Sequence, residues 1–172
     1  MDKPLVNRVA NSALKVIDLE AFYPKEELLN FDIKAYLFRE LLLKEKDFRT
    51  ALKEHDWTQY QGKTLLVYCS SDAIIPMWAY MLIASYASPY ASRLFQGDTA
   101  AYTQAAFSKH LQATDWSKYE GQLVCIKGCG DKTVPASAYM ELTQLLQPLA
   151  KRIMYGEPCS TVPIYKKIKS NE

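Results

Sequence analysis

Apolar positions along the chain change period several times, and each change predicts an element. Leu14–Leu19 alternates in the manner of a strand, whereas Leu37 and Leu41 within Ile33–Leu43 stand at helical spacing and predict a helix there. Phe48, Ala51 and Leu52 place one apolar face on a helix over residues 47–55. Thr64–Tyr68 is an unbroken run of strand formers, and an apolar stretch then extends from Pro76 to Pro89, with the first proline suited to the opening turn of a helix. A further strand is expected over Ser92–Gln96, stopping at Gly97.

The same succession then returns. Helical spacing covers Ala106–Thr114, strand formers occupy Leu123–Lys127, Pro135 and Pro148 bracket a second helix, and Lys151–Tyr155 reads as a strand ending at Gly156. The offset is constant, 115 − 56 = 59 for Asp56 and Asp115, and it holds for Trp57 and Trp116, Tyr60 and Tyr119, Gly62 and Gly121, Asp72 and Asp131, and Met81 and Met140. Residues 47–98 are therefore read as repeating, without a gap, in residues 106–157. Strand, helix, strand at this length is a crossover unit that favours parallel pairing. The expected fold is α/β: a single domain over residues 1–172, with two tandem helix–strand–loop–helix–strand repeats giving a mostly parallel sheet with flanking helices. Residues 1–46 would add an edge strand and a helix, and 158–172 would form a C-terminal loop and tail.

Length and composition agree with this reading: 172 residues at 49% apolar content suffice for one continuous core. A formal net charge of +2 gives no reason to expect nucleic acid as a partner, and the basic cluster Lys166, Lys167 and Lys169 reads as a solvated end. Ala73–Ser92 lacks charge over a bilayer's length, yet its copy contains Glu141, Gln144 and Gln147, so a buried helix is expected and no membrane span. No apolar segment follows the charges at Asp2, Lys3 and Arg8, so no secretory signal is expected and a cytoplasmic location is.

In a reducing compartment four cysteines read as free, metal-binding or catalytic. In a parallel sheet the strand-to-helix loops emerge at one edge, the usual place for ligands. Cys69 ends the first predicted strand, Cys129 follows the third within Gly-Cys-Gly-Asp-Lys, and Cys159 follows the last, so all three are expected on that edge. Thiolates bind zinc and iron–sulfur clusters, and Asp72 and Asp131 would complete such a site. Glycines around Cys129, a helix N-terminus and Lys132 would favour a thiolate, which makes Cys129 the candidate reactive thiol. The competing readings are structural: Asp72 and Asp131 as helix caps, and the thiols as small core side chains, the clear reading for Cys125 in mid-strand. His55 and His110 stand at different repeat positions and are expected at the surface, while Trp57, Trp116, Tyr80 and Tyr139 are expected in the core. Phosphate-loop, dinucleotide and nucleophile-elbow patterns are absent from the sequence.

Long stretches, among them Ile-Lys-Gly-Cys-Gly-Asp-Lys (126–132), Trp-Ala-Tyr-Met (78–81) and Met-Tyr-Gly-Glu-Pro-Cys-Ser-Thr-Val-Pro (154–163), resemble a bacterial family known as domain of unknown function 2480, over residues 7–167. That resemblance implies no activity; it implies a link to iron–sulfur cluster assembly and a protein partner there. Three functions follow as expectations: a cysteine-based metal or iron–sulfur site, an interaction or scaffold protein acting as a homodimer, and a thiol enzyme using Cys129.

Overall fold

The computed structural model describes residues 14–128 and 130–168. It is a mixed α/β protein with mostly parallel strands, and those strands are shared between two sheets rather than joined in one. By their contacts the residues divide into two compact units, one of Lys25–Tyr102 and one formed by the segments flanking it.

In the Lys25–Tyr102 unit, β2 (Leu28–Asp32), β3 (Thr64–Tyr68) and β4 (Arg93–Gln96) lie in the order β2-β3-β4, all parallel. In the flanking unit, β1 (Leu14–Asp18), β5 (Leu123–Lys127) and β6 (Arg152–Glu157) run parallel in the order β1-β5-β6, and β7 (Ser160–Lys166) closes the sheet antiparallel to β6. The central strands β3 and β5 are each covered on both faces, which is why they are apolar runs without alternation.

The strand pairings in the two sheets fall at fixed offsets in sequence. Leu28 pairs with Thr64 and Thr64 with Arg93, while Leu14 pairs with Leu123 and Leu123 with Arg152, so the central and outer strands differ by 59 (123 − 64, 152 − 93) and the leading strands by 14 (28 − 14). Helices α1 (Glu45–Glu54) and α2 (Met77–Ala87) serve the first sheet, and α4 (Ala136–Leu146) the second; α3 (Thr99–Ala113) gives Phe107 and Leu111 to the second core. After α1 and α3, Trp57 Nε1 and Trp116 Nε1 each donate to the carbonyl five residues back, Leu52 and Leu111, at 2.8 Å. Each buried indole thus closes its helix's C-terminal end and satisfies its one donor. Phe31, Leu65, Val67 and Ile83 form one core, and Ile17, Val124, Ile126, Leu142 and Ile153 the other. Such side chains contribute about 1.5–3 kcal/mol each on burial.

Four expectations are corrected. Ile33–Leu43 is not a helix: a single 3-10 turn covers Ile33–Tyr36, and Phe38 then bridges to Leu42 across Arg39 and Glu40, whose φ values are 52° and 58°. Leu41, which suggested the helical stripe, is 74% exposed, and the apolar signal belongs to β2 and the turn after it. The C-terminal stretch is a strand, β7, with Pro163 beside the register shift between Ile153 and Met154, where an edge strand tolerates a residue without an N–H. Pro76 and Pro135 precede their helices as extended N-cap residues, with no side-chain cap, so Asp72 and Asp131 four positions upstream do not cap α2 and α4. Finally, α2 buries Ala79, Ile83 and Ala87 but leaves Met77 and Met81 more than 70% exposed. Among the described residues no helix is long and apolar enough to cross a membrane.

Candidate functional site

Each sheet's carboxyl edge is built on an aspartate that ends the leading strand. Asp18 and Asp32 each accept the N–H two residues on, from Glu20 at 3.0 Å and Lys34 at 2.9 Å, and so start the 3-10 turns that bury Leu19 and Ile33. The two edges then diverge.

In the Lys25–Tyr102 unit the edge closes on itself. Ser70 donates its N–H to Asp32 Oδ1 at 3.0 Å and its hydroxyl to Asp32 Oδ2 at 2.6 Å, so both carboxylate oxygens are occupied. Burial pushes the Asp32 carboxyl up, but the hydrogen bonds from Ser70 and from the Lys34 N–H outweigh it, and the group titrates below its ordinary value of 3.8. Cys69 is half-buried with Sγ 3.2 Å from Ser71 Oγ, and Asp72 shares its loop. Burial raises the Tyr80 hydroxyl, with Cys69 adding to the effect.

In the flanking unit the edge is open. Asp18, Glu20, Lys127, Gly128, Gly130, Asp131 and Glu157 surround a polar cleft of about 280 Å³ at the carboxyl ends of β1, β5 and β6. Lys127 Nζ lies 3.3 Å from Asp18 Oδ2 and 3.8 Å from Glu157 Oε1. The Asp18 hydrogen bond and charge, followed by Glu157 and Glu20, raise its pKa, so it stays cationic. Four carboxylates surround one ammonium, leaving the cleft with excess negative charge.

Two glycines shape its wall. A Cβ on Gly128 would stand 2.6 Å from Tyr139 Oη, whose hydroxyl donates to the Gly128 carbonyl at 2.9 Å. Gly130 donates its N–H to Glu20 Oε1, and a Cβ there would collide with the same carboxylate. Cys129, between them in sequence, lies outside the described residues. Cys159 is exposed in the two-residue turn joining β6 to β7, directly beyond Glu157 and Pro158. Cys125 is a core thiol: it is fully buried, Sγ donates to the Gly156 carbonyl at 3.0 Å, and burial raises its pKa.

The sequence-predicted residues are thus distributed over two edges. Cys69 and Asp72 follow β3 in the three-stranded sheet, while Asp131 and Cys159 belong to the four-stranded one, so the thiols do not share the edge of a single sheet. Among the described residues no three His, Cys, Asp or Glu side chains converge to hold a metal ion. Sequence reasoning missed Asp18, Glu20, Lys127 and Glu157; the signal was the apolar-Asp-apolar pattern of Ile17-Asp18-Leu19, repeated in Phe31-Asp32-Ile33.

The histidines are not surface residues either. His55 is half-buried, with Nε2 2.9 Å from Tyr60 Oη, Nδ1 3.4 Å from Tyr36 Oη, and the Phe31 and Trp57 rings around it; His110 Nδ1 meets the Phe22 carbonyl at 3.1 Å.

Fold and edge together define a mixed α/β protein with one closed strand-end site and one that is open and acidic. The chain belongs to the family described as protein of unknown function DUF2480, which it matches over residues 3–167. No curated protein and no solved structure matches it.

Proposed function

We propose that the open edge of the flanking unit is a cation site that binds a single zinc or ferrous ion through Cys129 with one or two carboxylates of the cleft, drawn from Asp131, Glu157 and Glu20. The observation that supports this reading is the contrast between the two edges: Ser70 fills both oxygens of Asp32, whereas the other edge is a cleft with four carboxylates and one lysine, and the residue 59 positions on from Ser70 in the sequence is Cys129. One thiolate with carboxylates suits a borderline divalent ion. A cluster of the Cys₄ type does not fit the donor set, because the Cys125 sulfur is committed to the core and only three other cysteines exist. Such an ion would neutralise the cleft and act as a Lewis acid there. The chain's own residues orient the carboxylates: Gly130 fixes Glu20, and Lys127 holds Asp18 and Glu157. A link to iron–sulfur assembly would then be the handling of a single iron ion.

Competition against a chromophoric chelator under reducing conditions tests this. Binding of zinc with at least tenfold loss in Cys129→Ser, and none in Cys69→Ser, is expected; tenfold is about 1.4 kcal/mol. Failure to bind, or equal affinity in Cys129→Ser, would overturn it.

A second reading, association of two copies, draws on α2, which is apolar around its whole circumference and exposes Met77 and Met81, with Ile74 92% exposed just before it. It predicts a concentration-dependent dimer in sedimentation equilibrium that Met81→Glu weakens; a wild-type monomer at every concentration removes it.

A further inference from the structure

The opposite end of the four-stranded sheet carries the reverse charge. β7, by pairing with β6, sets Lys166 directly across from Arg152, and the Lys167 N–H donates to the Lys151 carbonyl at 3.0 Å. Four cations from two distant segments thereby meet around a concavity of about 490 Å³, whose remaining lining is Leu123 and Ile168. No carboxylate stands in it, and none of the four cations forms an ion pair among the described residues. Arg152 Nε is buried with no hydrogen-bond partner among them, and the one polar contact of the lysine head groups there is the long Lys167 Nζ to Pro148 carbonyl, 3.4 Å.

Like charges directly opposite across strands repel, and a buried donor without an acceptor is costly, so this arrangement disfavours the ligand-free fold. The volume is that of a small-ligand site. The apolar floor and lysine stems suit a hydrocarbon body, and the cationic rim suits an anionic head.

We propose that this amino-edge concavity binds a small amphiphilic anion, a phosphate or carboxylate carried on an apolar chain, with Arg152 and Lys166 holding the head group. It is independent of the acidic cleft at the other end of the sheet.

Calorimetric titration of the full chain with octyl phosphate, octanoate, inorganic phosphate and octanol, each below its micelle concentration, tests it. At least one octyl anion should bind tenfold or more tighter than both inorganic phosphate and octanol, and the tighter of the two fixes the head-group class. Lys166→Gln and Arg152→Gln should each lower that affinity at least fivefold. Lys166→Gln should also leave the ligand-free melting temperature unchanged or higher, because it removes the opposed charge. Absence of binding, equal affinity for inorganic phosphate or octanol, or unaltered affinity in a folded Lys166→Gln variant would overturn the proposal.

Discussion

Single residues decide how each strand end is finished. Gly130 donates its N–H to the Glu20 carboxylate, and a Cβ at this position would displace the end of that side chain. Gly130→Ala is expected to cost about 0.5–1.5 kcal/mol in urea denaturation, the net worth of the hydrogen bond lost when Glu20 swings aside. The double variant with Glu20→Ala should cost less than the sum of the two single changes, since the collision partner is gone. His55 is the residue whose environment the sequence hid: its flanking Glu54 and Asp56 suggest solvent, yet β2 and the turn after it bring Phe31 and Tyr36 against the ring. Burial lowers its pKa below 6.5, with Asp56 opposing, while burial raises Tyr36 and, with Tyr36 and Asp56 adding, pushes Tyr60 up to about 12. The unfolded chain therefore binds the proton more readily than the folded one. The stability contributed by neutral His55 is present above pH 6.5 and is lost as the pH falls toward the folded-state pKa. Urea midpoints should drop between about pH 7.5 and about pH 5, and the drop should shrink in His55→Gln. Asp32 acts lower on the scale: its folded-state pKa is depressed, so its contribution is present above pH 3.8 and disappears as the pH falls through the folded value.

Elements were legible in proportion to how local their cause is. β3 and β5 were readable to the residue, because a central strand buried on both faces needs an unbroken run of apolar and β-branched side chains. α2 and α4 were readable from the prolines that precede them, although those prolines stand one position before the first helical residue. β2 and β7 were not, for opposite reasons. β2 is short and half-buried, and the apolar residues after it imitate a helix until Arg39 and Glu40 turn the chain back. β7 contains Pro163, which argues against a strand unless the strand lies at an edge, and only the pairing with β6 supplies that knowledge. The helices' contribution is testable at equivalent positions: Ile83 in α2 and Leu142 in α4 are both fully buried, and Ile83→Ala or Leu142→Ala should each cost about 2–5 kcal/mol by urea denaturation.

At the scale of the whole molecule, the sequence pointed to the strand ends as the place for chemistry but placed the thiols on one edge. Which strands share a sheet is a long-range property: β1 passes over β2, its neighbour in sequence, to pair with β5, and that crossing assigns Cys69 to a different sheet from Cys159 and Asp131. The same pairing makes the cleft, since Asp18 and Glu20 arrive with β1 and meet Lys127 and Asp131 from β5 and its loop. The central claim is that a thiolate and carboxylates of this one edge hold a single ion. X-ray absorption at the zinc edge of the zinc-loaded, reduced protein reads that first shell directly. The account predicts a mixed shell, with sulfur at about 2.3 Å and oxygen at about 2.0–2.2 Å, the sulfur component disappearing in Cys129→Ser. A shell of oxygen and nitrogen alone, or one of four sulfurs, would contradict it.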